Sequence, residues 1–242
     1  MNVLGIKISE LSKNQTLEKV AEFLHGEKQN IIFTPNPEML VDAQKDKYFK
    51  TVLNSGDLNV CDGFGLSLVS GVKRYPGVEL MLDICALAEK ENKSVYFLGS
   101  GDKEVISNLQ LVIKEKYSDL KIAGAHPGPK LQVTSYKLQV DEHENNDLVA
   151  DISMTAPDIL FVAFGHGKQE KWIHENLKDL PSVRIAMGVG GSFDFISGKV
   201  KRAPLFIRKI GLEWMYRLAI QPSRFGRIFK ATFVFIYYFL KK

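Results

Sequence analysis

Cysteine is scarce in this chain: Cys61 and Cys85 are the two in 242 residues, each in an apolar setting. Such usage excludes a disulfide-stapled scaffold and points to a reduced, cytosolic compartment. The opening MNVLGIKISELSK has neither a basic n-region nor a long apolar core, so no signal peptide is expected. Metal-ligand spacing is missing as well: His126, His166 and His174 stand apart from cysteines and from acids at suitable intervals. No acid-x-acid pair of the sort that holds a nucleotide-bound divalent ion closes a strand. No Ser or Cys occupies a nucleophile elbow. No glycine run matches the P-loop, or G-x-G-x-x-G with its ribose-binding acid.

What is present is ordinary globular composition, 45% hydrophobic and 25% charged, which excludes disordered and fibrous classes. The length suits one large α/β domain, or one domain with an appendage. The formal charge of +4 conceals a division. Residues 199–242 carry eleven Lys/Arg and one acid, Glu213, for a net of +10; the rest holds 21 bases against 27 acids, a net of −6. The C-terminal segment should therefore meet an anionic partner: phospholipid, nucleic acid or a phosphorylated substrate.

Apolar, β-branched runs alternate with amphipathic helical patterns. NVLGIKI, NIIFT, LNVCD, SVYFLGS, LKIAGA, DILFVAF and VRIAMGVG read as strands. The stretches between most of them, such as TLEKVAEFLHG and GKQEKWIHENLKDL, read as helices. This rhythm predicts a Rossmann-like α/β fold with a largely parallel sheet covered on both faces. Residues 127–147 are polar and read as an irregular surface excursion. After Ala203 the rhythm stops and a helical appendage follows. We therefore expect an α/β catalytic domain over 1–198 and a basic helical appendage over 199–242.

In parallel sheets ligands bind beyond the carboxyl ends of the strands, so the strand-to-helix junctions are the candidate site. In CDGFGL, Asp62 reads either as an N-cap for the next helix or as a carboxylate base at the sheet edge, with Gly63 and Gly65 permitting close approach. In TPNPEML, Pro35 and Pro37 frame Thr34 and Asn36. A cap explains Asn36 alone; extended backbone before each proline would also fix both polar side chains against a ligand. GVGGSFDF, with Gly188, Gly190, Gly191 and Asp194, leaves backbone N–H groups open for an anion, although glycine turns are common without ligands. His166, alone in its loop, reads as structural.

The tail RFGRIFKATFVFIYYFLKK repeats cations at Arg224, Arg227 and Lys230, then runs uncharged from Ala231 to Leu240. Ten helical residues cover about 15 Å, whereas a span needs roughly 20 apolar residues. A buried docking helix and a helix lying in the membrane interface both remain open. Basic flanks and Phe/Tyr content favour the interface, where each cation near an anionic leaflet contributes about 1 kcal/mol. No nucleic-acid-binding motif accompanies the charge.

Taken in order, TPNPEML, CDGFGL, KRYPGVEL, VAFGHGKQEKWI, GVGGSFDFISGKVKRAP and GLEWMYRLAIQPSR resemble the WecG/TagA/CpsF family, glycosyltransferase family 26, from about Asn2 to Arg227. The resemblance implies an inverting, metal-independent glycosyltransferase without a cofactor. Its substrates would be a UDP-sugar donor and a polyprenyl-diphosphate-linked sugar acceptor, met on the inner face of the bacterial membrane as a peripheral protein. N-acetylmannosamine and N-acetylmannosaminuronic acid are the sugars of its best-known members. By motif position Asp62 matches the proposed base, Thr34 and Asn36 the active-site Thr and Asn, and Gln169 the Gln of the FG-x-x-x-QE block. Arg217 and Arg224 match arginines of an appendage held to close over the site. Arg74 of KRYPGVEL, Gly188, Gly190, Gly191 and Asp194 complete the expected substrate-binding set. Two departures, AHPGPKLQV where HGYF-like stretches are common and His166-Gly167 where Pro is frequent, bear on the sugar more than on the reaction class.

The reading is thus a transferase of N-acetylmannosamine, or of another UDP-sugar, to lipid-linked N-acetylglucosamine in teichoic acid or surface polysaccharide synthesis. Nucleic acid is not expected as a partner, and a homo-oligomer is left open. Two readings of other classes stand beside it: a soluble nucleotide-dependent enzyme whose tail packs internally, and a non-catalytic lipid- or nucleic-acid-binding module.

Overall fold

The computed structural model describes residues 1–134 and 137–241. Its centre is a six-stranded sheet: β1 (Asn30–Phe33), β2 (Leu58–Asn59), β3 (Ser94–Gly99), β4 (Lys121–His126), β5 (Ile159–Ala163) and β6 (Ile185–Gly188), in the spatial order β2-β1-β6-β5-β3-β4. Every neighbouring pair is parallel, so the carboxyl ends of all six strands lie along one edge.

The side chains explain why the sheet is covered twice. Val95 and Phe97, Ile159 and Phe161, and Ile185 and Met187 enter one core; Tyr96 and Leu98, Leu160 and Val162, and Ala186 enter the other. This period of two, apolar on both faces, is what a buried parallel strand requires. Helices α1 (Lys13–His25), α5 (Gly77–Lys90), α6 (Lys103–Lys116) and the short α9 (Ser192–Ile196) cover the first face. Helices α2 (Pro37–Lys45), α3 (Lys47–Asn54), α7 (Glu142–Thr155) and α8 (Lys168–Asn176) cover the second. α4 (Phe64–Ser70) follows β2 directly.

One buried ion pair ties the second layer together: Lys171 Nζ on α8 lies 2.6 Å from Asp46 Oδ2, with 2% and 8% of the two side chains exposed. Asp46 also caps α3 by accepting the Phe49 N–H.

Two expectations change. NVLGIKI is not a sheet strand. It turns at Leu4 and Gly5, both at positive φ, into an antiparallel pair, Asn2–Val3 with Ile6–Lys7. The polar stretch 127–147 is not irregular: it holds the antiparallel pair Gln132–Thr134 with Lys137–Gln139. Its acidic DEHENND is the start of α7, with Asp141 as N-cap accepting from Glu144 N. Acids at a helix N-terminus suit the macrodipole, a stronger local rule than the polarity that suggested a loop.

Beyond Ala203 the chain is helical: α10 (Leu205–Lys209), α11 (Glu213–Ile220), a 3-10 turn at Pro222–Arg224, α12 (Phe225–Phe229), a π turn at Lys230–Val234 and α13 (Phe235–Leu240). No helix among the described residues is long and apolar enough to cross a membrane. The π turn and α13 run along α2, and α12 is tied to it through Arg227 and Glu38. Phe235 is 1% exposed in the second core, a burial worth about 2–3 kcal/mol. The opposite side of the same segment leaves Phe225, Phe229, Phe233, Ile236, Tyr237 and Leu240 exposed. The docking reading therefore holds for one face of this helical segment, while the other face is exposed.

The cations of that segment correct a further expectation. Arg227, although half exposed, is paired within the protein: its Nε and Nη2 donate to both oxygens of Glu38 at 2.9–3.1 Å. Lys230 Nζ donates to Asp42 at 2.9 and 3.1 Å. Glu38 and Asp42 stand one turn apart on α2, so the i,i+4 spacing of the acids meets the i,i+3 spacing of the cations.

Candidate active site

Strands β2, β1 and β6 are neighbours, and adjacent strands stand about 4.8 Å apart. Their carboxyl ends therefore bring Asp62, Thr34 with Asn36, and Gly188–Gly191 within about 10 Å of sheet width. These are the residues that the sequence set on separate junctions.

Asp62 is not the cap of the following helix. Gly63 occupies that position, and no side chain caps α4. The Gly77 N–H, at the first residue of α5, instead lies near the Asp62 carboxylate and favours its charged form. Protein surrounds this carboxylate, yet 31% of the Asp62 side chain stays open. Burial raises its proton affinity above the usual carboxylate range; Arg74, the Gly77 N–H and Arg217 oppose this, and Glu213 adds to it. A base lifted in this way is better matched to neutral pH than an ordinary aspartate. Gly63 permits the turn: a Cβ there would stand 2.3 Å from Pro37 Cδ.

Arg74 holds the turn from outside. Its Nε donates to the Asp62 carbonyl at 2.5 Å, and its Nη2 lies 3.9 Å from Asp62 Oδ1 and 3.1 Å from Glu213 Oε2. Thr34 is buried, and a Cβ on Gly77 would lie 3.4 Å from its Oγ1. Asn36 caps α2, its Oδ1 accepting the Met39 N–H.

Gln169 is 3% exposed, and both ends of its amide are engaged within the protein. Oε1 accepts the Gly190 N–H at 2.9 Å, and Nε2 donates to Glu170 at 2.8 Å. Its role in this arrangement is to hold the glycine loop. Gly188 makes room for it, since a Cβ there would meet Gln169 Nε2 at 2.8 Å. Gly190 adopts φ +54, and nothing lies within 4 Å of where its Cβ would be. Asp194, on α9, is electrostatically coupled to Arg224 and Lys199.

The appendage brings Arg217 over this loop. Its guanidinium stacks on Phe195, 4.3 Å from the ring centroid, and Nη2 lies 3.5 Å from where a Cβ of Gly191 would stand. Arg217 Nε is buried without a hydrogen-bond partner among the described residues. Burial first, then the nearby charge of Arg224, pull its pKa down to about 10. Arg224, half-buried and donating from Nε to Gln221 at 2.5 Å, is likewise lowered by burial and by Arg227. Cations gathered against their mutual repulsion suit a multiply charged anion such as a diphosphate. The expectation of open backbone N–H groups in the loop is not met at Val189, Gly190 and Ser192, whose N–H groups go to Val162, Gln169 and Val189.

Sequence reasoning overlooked two groups here. One is Glu213, the appendage's single acid, which accepts from Arg74 and Arg202. The other is the set Glu38, Asp42 and His166, whose ligand-type atoms lie within 4.8 Å of one another. Spacing along the chain did not reveal it because His166 comes from the β5–α8 loop. In the structure Arg227 and Lys230 occupy the acids, and His166 Nε2 lies 2.9 Å from Asp42 Oδ2.

A parallel α/β sheet with a lifted carboxylate and an arginine cluster at its carboxyl edge is an arrangement able to accept a proton beside a bound anion. The chain belongs to the glycosyl transferase WecG/TagA/CpsF family, whose model matches residues 1–242. It is similar to two curated relatives, both named N-acetylglucosaminyldiphosphoundecaprenol N-acetyl-beta-D-mannosaminyltransferase. The protein from Staphylococcus aureus (strain NCTC 8325 / PS 47) is 30% identical over 245 residues, 98% of this chain and 91% of the relative. The protein from Bacillus spizizenii is 34% identical over 212 residues, 85% and 77% respectively.

Proposed function

We propose that the chain transfers N-acetylmannosamine from UDP to undecaprenyl-diphosphate-linked N-acetylglucosamine, with inversion, in teichoic acid or related surface-polysaccharide synthesis. The observation that carries this reading is the placement of Arg217, with its unpartnered Nε, beside Gly191 and within electrostatic reach of Asp62. Donor diphosphate and acceptor hydroxyl can then meet between a cationic lid and a base.

In this mechanism Asp62 accepts the proton of an acceptor-sugar hydroxyl. That oxygen bonds to the donor's anomeric carbon from the face opposite UDP, while the bond from that carbon to the β-phosphate oxygen breaks and its electron pair leaves with UDP. Arg217 and Arg224 stabilise the charge that develops on the departing diphosphate. Because arginines supply this countercharge, no metal is assigned to the step.

The exposed aromatic stripe Phe225, Phe229 and Phe233, with rings 5.2–6.3 Å apart, supports a peripheral seat in the bilayer interface. There the lipid acceptor would be presented from the inner face of the membrane. A panel of UDP-sugars with a short-chain prenyl-diphosphate-GlcNAc acceptor, read by product mass, tests the reading. One added N-acetylhexosamine from the N-acetylmannosamine donor is expected; product from UDP-glucose alone would replace this donor assignment.

A further inference from the structure

We propose that Glu213 is a positioning residue for the base: by holding Arg74 from the appendage side, it keeps that guanidinium from neutralising Asp62, so that docking of α11 sets the strength of the base. The inference rests on the reading of Asp62 as general base and adds to it a control that comes from the appendage.

The geometry is a short chain of charges. Arg74 is 20% exposed and stands between two carboxylates. Its Nη2 is 3.1 Å from Glu213 Oε2 but 3.9 Å from Asp62 Oδ1, so the charge-assisted hydrogen bond goes to Glu213. Toward Asp62 the same residue makes its bond to the backbone carbonyl, through Nε. Arg74 thus fixes the Asp62 turn without pairing closely with its carboxylate.

Glu213 is 12% exposed and is held in turn by Arg202 Nε at 3.3 Å, while Arg202 Nη2 donates to Glu79 at 3.2 Å. The charged and polar groups facing Asp62 are therefore Arg74 from the loop before α5, the Gly77 N–H of α5, Glu213 and Arg217 of α11, and the adjacent Cys61 thiol. That thiol, pushed up to about 12 by burial and then by Asp62, stays neutral. Burial disfavours the Glu213 charge, but the Arg74 hydrogen bond and the Arg202 charge outweigh it and hold Glu213 ionised. Glu213 and Arg217 are one helical turn apart on α11, so the docking that delivers the Arg217 guanidinium also delivers the counterion that engages Arg74.

Two substitutions should move the base in opposite directions. Glu213→Gln removes the negative charge and leaves Arg74 uncompensated, so Asp62 becomes a weaker base. The acid limb of the kcat/KM–pH profile should move to lower pH and the plateau should fall roughly two- to tenfold. Arg202→Gln removes a counterion of Glu213, so the limb should move to higher pH. A merely structural role for Glu213 would lower activity or stability without moving the limb in either variant.

The experiment is the pH profile of the full chain and both variants with UDP-N-acetylmannosamine and the short-chain acceptor, alongside Asp62→Asn and melting curves for each protein. Opposed displacements support the proposal. An unmoved limb in either folded variant, or displacement of both in one direction, overturns it. If Glu213→Gln fails to fold, the Arg202→Gln limb still decides. An Asp62→Asn enzyme that keeps the wild-type limb would instead overturn the base assignment, a separate outcome.

Discussion

Arg217→Met should make the unliganded protein more stable and nearly inactive. Arg217 is mostly buried and its pKa is held at about 10, against a usual value of about 12.5. At 1.36 kcal/mol per pH unit the charged form costs the folded state about 3 kcal/mol. Because the folded value is the lower one, this cost is fully present below about pH 10 and fades only above it. Methionine keeps much of the aliphatic packing but loses the stacking on Phe195, worth about 1–2 kcal/mol. The net gain is about 1–2 kcal/mol, which raises Tm by roughly 2–8 °C for a chain of this size. On the proposed mechanism the same substitution removes a cation from the departing diphosphate, where loss of one stabilising donor costs about 10²- to 10³-fold in kcat. Differential scanning fluorimetry with and without UDP, together with turnover, reads both. A lower Tm without ligand, or UDP-induced stabilisation equal to that of wild type, would refute the reasoning that this guanidinium is held at a cost for an anion.

On the proposed mechanism Asp62 carries the pH dependence. Its affinity for protons is raised by burial, so the acid limb of kcat/KM should lie above the ordinary carboxylate value near 4, with activity rising as pH rises. The same sign makes its ionised form a cost at neutral pH, so Asp62→Asn should melt no lower than wild type at pH 7. Lys171→Met leaves Asp46 charged in the core, which should cost about 3–5 kcal/mol and lower Tm on the order of 10 °C. Glu38→Gln weakens the two-pronged grip on Arg227. With Arg227 half exposed the loss is about 1 kcal/mol, and hydrogen exchange across 225–240 should quicken roughly fivefold while exchange in β3 and β5 stays unchanged. Gly63→Ala drives a Cβ into Pro37 and should distort the Asp62 turn, lowering kcat more than Tm.

The parallel sheet was legible because buried strands must be apolar on both faces, and runs such as DILFVAF allow little else. The convergence of the candidate residues was legible for a related reason: parallel strands put every junction at one edge, where Asp62, Thr34 and the Gly188–Gly191 loop follow neighbouring strands. Local competition hid other features. Leu4 and Gly5 break NVLGIKI through backbone conformation rather than hydrophobicity. Asp141 converts an acidic stretch into a helix start. The partners of the tail cations were not legible, because Glu38 and Asp42 look like solvated helix acids until α12 and the π turn are laid along them. Nor was Gln169, whose part in holding Gly190 depends on two strands being neighbours. Glu213 was visible as the single acid in a basic segment, but its meaning required knowing that Arg74 lies opposite.

The central claim is that Asp62 drives a single inverting displacement. The measurement is product stereochemistry and rate for wild type and Asp62→Asn, with UDP-N-acetylmannosamine and the short-chain acceptor, read by NMR of the new anomeric centre. A β-linked product that forms about 10²- to 10⁴-fold more slowly in a folded Asp62→Asn protein is expected. An α-linked product, or an Asp62→Asn rate equal to wild type, would contradict the account.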